Sequence, residues 1–188
     1  MAFDIAKEHL RKAGLEDRIY EFEVSSATVE LAAQAVGCEP ARIAKTLSFM
    51  ADQKAVLIVA AQAAGVIPAR IAKSLSFKVD GKAILIITAG DAKVDNHKYK
   101  EQFHTKAKML SPDEVTELVG HSVGGVCPFG VKEGVAVYLD ESLKRFDVVY
   151  PACGSASSAV KLTIPELETA SEYLGWIDVC KGWGEDSI

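Results

Sequence analysis

A stretch of 28 residues occurs twice, back to back. AAQAVGCEPARIAKTLSFMADQKAVLIV (32–59) runs directly into AAQAAGVIPARIAKSLSFKVDGKAILII (60–87), and 19 of the 28 paired positions are identical. Most of the differences are mild, such as Thr46 against Ser74 and Val56 against Ile84. Repeat arrays need three or more units to bury a continuous core, and nothing else in the chain repeats. The pair therefore reads as a tandem duplication inside an otherwise single-copy domain. Two near-identical segments compete for one place in the fold.

Each copy has the same local grammar. AAQAxG is the end of an Ala-rich helix stopped by Gly37 or Gly65. ARIAK(T/S)LSF alternates as a strand does, with Ile43, Lys45, Leu47 and Phe49 on one face and Ala44, Thr46 and Ser48 on the other. A turn follows, and Asp80-Gly81 in copy two is a strong hairpin signal. AVLIV or AILII then reads as a buried strand. Copy one is entered through SSATVEL, where Ser25 or Ser26 can cap a complete helix. Copy two is entered from a strand, and its exit is TAGDAKVDNHKY. The expectation is that copy one, with its full helix, occupies the core. Copy two would be extruded, add edge strands or swap into a neighbouring chain to give a domain-swapped homodimer.

The remaining elements are punctuated by caps and breakers. Residues 3–14 predict an amphipathic helix ended by Gly14. IYEFEV (19–24) predicts a strand, 95–103 a short helix, and KAKML (106–110) a strand. SPDEVTELVG (111–120) predicts a helix with Ser111 as N-cap, Pro112 at its first position and Glu114 at its third. Residues 135–154 give two strands around a short DESLKRF helix. Residues 160–174 give a strand and then a helix capped by Thr163. After Trp176 the chain reads as a frayed polar tail. Hairpins mix with helices rather than alternating strictly with them, so an α+β fold is expected.

Composition excludes several classes. A chain of 188 residues with 49% hydrophobic and 25% charged residues is a folded single domain. Its net charge of −5 argues against non-specific nucleic-acid binding through a broad basic surface. The longest uncharged stretch, 55–69, is shorter than the roughly 20 residues of a membrane span. No secretory signal pattern opens the chain, and the four cysteines are widely spaced. The expectation is reduced thiols and a cytoplasmic location.

Four features could carry chemistry. Lys45, or its duplicate Lys73, lies mid-strand on an apolar face. It is either a snorkelling surface lysine or a pocket-floor cation that binds an anion or carbonyl oxygen. VGGVCPFG (123–130) carries Gly124 and Gly125, which let backbone amides approach a ligand or simply turn the chain. CGSASSA (153–159) offers Gly154, Ser155 and Ser158, either to a polar ligand or to solvent. Cys127 or Cys153 with His104 or His121 would be a thiol–imidazole pair, but no known signature surrounds them. No metal-ligand spacing, Walker loop or GxGxxG is present, so neither a metal nor a cofactor is called for.

Taken in order, TVELAAQAVG, ARIAKTLSF, the strand exit into AGDAKVD, SPDEVTELVGHSVGGVCPFG, VYLDESLKRFDVVYPACG and VKLTIPELE resemble the YbaK/ProX-type aminoacyl-tRNA editing domains. The resemblance spans about residues 18 to 178. It implies a mixed, mostly antiparallel barrel-like sheet flanked by helices, with the duplicated strand pair as an extra segment. Residues 1–180 would form one editing domain containing both copies, and 181–188 a polar tail. It also implies a trans-editing hydrolase that cleaves the ester of mischarged Cys- or Ala-tRNA. The alternative is a module of the same fold that binds aminoacyl-tRNA or a synthetase without hydrolysis. The implied partners are the acceptor end of aminoacyl-tRNA and an aminoacyl-tRNA synthetase.

By the same resemblance, Lys45 or Lys73 contacts the ester end of the substrate. Thr46 or Ser74 follows it in the pocket, the Gly124 backbone holds the aminoacyl group, and Phe22 and Thr28 stand at the pocket wall. The preferred lysine is Lys45, because copy one is expected in the core. The chain departs from the family pattern at Ala159, where some members carry an acidic residue. It also departs at Ala152, which replaces a serine, and at Phe22, where a tyrosine can stand.

Overall fold

The computed structural model describes residues 1–21 and 65–183. Phe22, Thr28, Cys38, Lys45, Thr46, the remainder of copy one and the last five residues lie outside them.

Copy two forms the centre of the fold. Strands β2 (Ile71–Val79) and β3 (Lys82–Thr88) make an antiparallel hairpin in register from Lys73–Thr88 to Val79–Lys82. The turn between them places Asp80 at φ +48° and Gly81 at φ +78°. Positive φ at both central residues matches the right-handed twist of the flanking strands. In β3 every residue from Ala83 to Thr88 is buried. An unbroken apolar run of this kind suits a strand covered on both faces.

The other strands assemble around this hairpin. They are β5 (Ala136–Asp140), β6 (Val148–Pro151), β8 (Leu162–Thr163) and β9 (Gly175–Ile177). The six-stranded order is β8-β6-β2-β3-β5-β9, curled into a half-barrel. The β2–β6, β3–β5 and β5–β9 pairs are parallel, while β2–β3 and β6–β8 are antiparallel. Among the described residues two short ribbons stand beside this sheet. β1 (Ile19–Glu21) pairs with β7 (Ser158–Val160), and β4 (Lys93–Val94) with β10 (Cys180–Lys181), both antiparallel.

Among the described residues four helices flank the sheet, and local sequence accounts for their ends. α1 (Ala2–Lys12) buries Ala6 and Leu10 and is followed by Gly14 at φ +71°. α2 (Asn96–Phe103) is capped by Asp95, which accepts the amides of His97 and Lys98. α3 (Pro112–Glu114) and α4 (Ile164–Ala170) both begin with complete capping boxes, Ser111 with Glu114 and Thr163 with Glu166. Each box satisfies two N–H groups that a helix start leaves unpaired. The aromatic residues concentrate around α2, in a row Phe77–Tyr99–Phe103–Tyr138 with centroids 5.1, 4.8 and 5.5 Å apart.

Three expectations are corrected. Copy two is neither extruded nor at a sheet edge: β2 is hydrogen-bonded on both sides, to β3 and β6. The Asp80-Gly81 turn favours this outcome, since copy one has Gln53 where copy two has Gly81, and only glycine takes positive φ without cost. The chain after Trp176 is not frayed as far as Trp183. It forms β10, and Val179 and Cys180 have no solvent exposure. KAKML is not a strand. Met109 makes a single bridge to Phe77, flanked by hydrogen bonds to the backbone of Ser76 and Lys78. The segment after α3 is a π-helical turn, Val115–Val119, ending at Gly120 with φ +90°.

Candidate active site

Lys73 sits near the start of β2, and its Nζ donates to the Ala92 carbonyl at 2.5 Å. Ala92 belongs to the turn that follows β3, and this turn is fixed residue by residue. The Ala89 amide donates to Ser142 Oγ (3.1 Å), and the Gly90 amide donates to Ala69 O (3.0 Å). Both oxygens of Asp91 receive the Arg145 guanidinium, at 3.0 and 2.5 Å. Such a fork is the most directional ion pair available to a carboxylate. Arg145 also lies over the Phe146 and Trp183 rings, 4.8 and 5.4 Å from their centroids. At Gly90 a Cβ would fall 2.0 Å from Pro68 O, so only glycine lets the turn cross the Pro68–Arg70 segment.

The surroundings of Lys73 set its charge. Burial of this half-buried side chain lowers its pKa below the usual 10.5, while Cys180, Asp91 and Asp140 oppose the effect and Lys93 adds to it. An ammonium has three N–H donors. Among the described residues one is used, by Ala92 O. The other two can meet a carbonyl or developing oxyanion.

A second cluster gathers the loop residues. Gly125 packs directly on the neighbouring loop, where an added Cβ would lie 2.6 Å from the Gly154 carbonyl carbon and 2.7 Å from the Ser155 amide. Gly124 adopts φ +92°, and Gly154 adopts φ +75° against the backbone of Ala2 and Phe3. Ser155 Oγ donates to Ser158 Oγ (2.8 Å), and Ser158 Oγ donates to Cys153 O (2.9 Å). The parallel β2–β6 ladder ends at Ala72–Pro151. Lys73–Ser74 and Ala152–Gly154 therefore leave it from the same end. Ser74 follows Lys73 on the opposite face of β2, and its hydroxyl is buried without a partner among the described residues.

The thiol–imidazole pair is sealed from solvent, with Cys127 and His121 both buried. Cys127 Sγ lies 3.9 Å from His121 Nδ1, but burial pushes its thiol up to about 12. Burial does the same for Cys153. His104 is far from such a role, as the left-handed cap residue of α2.

The structure thus brings Gly124, Gly125, Gly154, Ser155 and Ser158 into one packed cluster. Lys73 and Ser74 stand at the adjoining end of β2, and Phe22, Thr28, Lys45 and Thr46 lie outside the described residues. The sequence reading missed Gly90, Asp91, Asp140, Ser142 and Arg145. The AGDAK and LDESLKR stretches were in view, but only the sheet register joins them. Among the described residues no helix is long and apolar enough to cross a membrane.

Comparison with known proteins gives a consistent picture. A family model for the aminoacyl-tRNA editing domain matches residues 58–170. The chain is 45% identical over 183 residues to the uncharacterized protein YwhH of Bacillus subtilis (strain 168), across 97% of this chain and 99% of that one. A solved structure of a proposed trans-editing enzyme for prolyl-tRNA synthetase has a TM-score of 0.68 at 25% identity, covering 96% of this chain and 98% of its own. The hypothetical protein APE2540 shares the fold, with a TM-score of 0.69 at 22% identity over 93% of this chain and 98% of its own.

Proposed function

The chain belongs to the aminoacyl-tRNA editing domain family, and we propose that it is a trans-acting deacylase that hydrolyses the ester of mischarged tRNA. The observation that carries this reading is the anchored ammonium of Lys73, held by Ala92 O on a strand that leaves the β2–β6 ladder at the same end as the segment leading to Gly154. The matched segment 58–170 includes Lys73 and excludes Lys45. This supports our choice of Lys73 for the role.

An aminoacyl ester is already activated, so strong acid–base catalysis is not required. Lys73 meets the ester carbonyl, and its charge strengthens the contact as the oxyanion develops. Amides of the glycine loops hold the aminoacyl group, and Ser155 and Ser158 supply polar contacts. Positioning a water against a fixed ester supplies the rest of the acceleration. Ala159 offers no carboxylate, so the vicinal hydroxyl of the terminal ribose assists the water. In this reading the substrates carry small aminoacyl groups of the Ala or Cys type. The partners are the acceptor end of the tRNA and the synthetase that mischarges it.

The test is amino-acid release from tRNA mischarged with Ala or Cys. The wild-type chain accelerates release over buffer. Lys73→Ala loses about 10²–10³-fold of that rate, as removal of one oxyanion donor does elsewhere. No acceleration on any small aminoacyl ester overturns the proposal.

A further inference from the structure

The sheet register places a second charged residue in the row of Lys73. Lys73 pairs with Thr88 across β2–β3. One residue past the Ile87–Leu139 pair, Thr88 stands level with Asp140, which itself pairs with Ile177. Residues directly opposite one another project from the same face of a sheet. Lys73 and Asp140 therefore share a face two strand spacings apart, about 10 Å at the backbone. Thr88, fully buried, stands between them and turns its hydroxyl to Ala89 O (3.2 Å).

Asp140 has no solvent exposure, and it accepts two backbone amides beside the Cys180 thiol. Oδ1 accepts from Ser142 (3.0 Å) and Oδ2 from Val179 (3.0 Å). A buried carboxylate needs a compensating charge. Lys73 faces three acidic groups and one cation, contributed by β10, the turn after β3, β5 and β4: Cys180, Asp91, Asp140 and Lys93. Cys180 does not supply a negative charge, because burial and then the neighbouring Asp140 raise its thiol far above its ordinary value. Asp91 is taken up by the Arg145 fork. Among the described residues Asp140 remains as the carboxylate without an ion-pair partner.

We propose that Asp140 is the positioning residue and counter-charge of the Lys73 site. It does not touch substrate. Its charge keeps the Lys73 ammonium protonated in a buried setting. Its two amide contacts brace the Ser142 and Val179 segments, and Ser142 in turn holds the turn that carries Ala92 O. This rests on the reading of Lys73 as the cation of the site.

The experiment is titration of the Lys73 Nζ resonance by ¹⁵N NMR in the wild type, Asp140→Asn and Asp140→Ser, alongside the pH profile of deacylation. The serine hydroxyl can still accept the Ser142 amide, so it serves if the amide variant does not fold. Neutralising Asp140 is expected to lower the Lys73 midpoint by about half a unit to one unit. The alkaline limb of the activity profile moves down by the same amount. An unchanged Lys73 midpoint in a folded Asp140 variant overturns the inference, even if activity falls, because Asp140 is then only a brace. A midpoint that moves in a protein without deacylase activity supports the charge assignment and overturns the deacylase reading instead.

Discussion

At Gly90 the backbone comes so close to the Pro68 carbonyl that no side chain can be placed there, and this crossing sets the position of Ala92 O under Lys73. Gly90→Ala must push the two segments apart, at a cost of about 3 kcal/mol by the usual penalty for overpacking. Thermal unfolding should show a fall of roughly 6–12 °C, with deacylation lost in the same variant. Gly134→Ala, with no atom within 4 Å of the added Cβ, faces only the strain of φ +87°. It is expected to lose about 1 kcal/mol. His121 gives a residue-scale pH dependence. It is 1% exposed, and Nδ1 accepts the Cys127 amide at 3.3 Å, which assigns the neutral ring. Burial lowers its pKa below the usual 6.5. The unfolded chain therefore takes up this proton first. The contribution of His121 is full above about pH 6.5 and is lost as pH falls toward the depressed folded value. Urea midpoints at pH 7.5 and 5.5 should show a loss of about 1 kcal/mol in the wild type that His121→Gln lacks. An equal loss in both proteins would assign the acid sensitivity elsewhere.

At the scale of elements, the β2–β3 hairpin depends on its two turn residues. Replacing Gly81 with glutamine, the residue at the matching position of copy one, forces a side chain into φ +78°. It should lower the unfolding free energy by about 1 kcal/mol, measured in urea, with no loss of kcat in the folded fraction. Signals of this kind were legible in the sequence because they are local. Asp80-Gly81, the Ser111 and Thr163 caps, Pro112 and the alternation of β2 each act within a few residues. So did the lysine and the two glycine loops, which are contiguous motifs. What was not legible depends on partners far along the chain. β10 needs β4, about 87 residues earlier, to become a strand rather than a tail. Arg145 finds Asp91 only because β5 lies beside β3. Asp140 joins the Lys73 row for the same reason. KAKML alternates as a strand would, yet it meets β2 only near Phe77 and stops there.

At the scale of the molecule, the duplication decides which copy builds the sheet. Copy two supplies the central hairpin, and its exit leads directly into the turn that holds Lys73. Deleting 32–59 joins Leu31 to Ala60 and restores the uninterrupted run VELAAQAAGVIPARIAKSLSF. This shortened chain should fold and retain deacylation within a few-fold of the full chain. A deletion protein that folds but is inactive would show that copy one contributes to the site. The account as a whole rests on one lysine acting on an aminoacyl ester. Its most direct test compares Lys73→Ala with Lys45→Ala in single-turnover deacylation of mischarged tRNA. The account predicts a loss of about 10²–10³-fold for Lys73→Ala and a rate close to wild type for Lys45→Ala. The reverse pattern, or equal rates for both variants and the wild type, would contradict it.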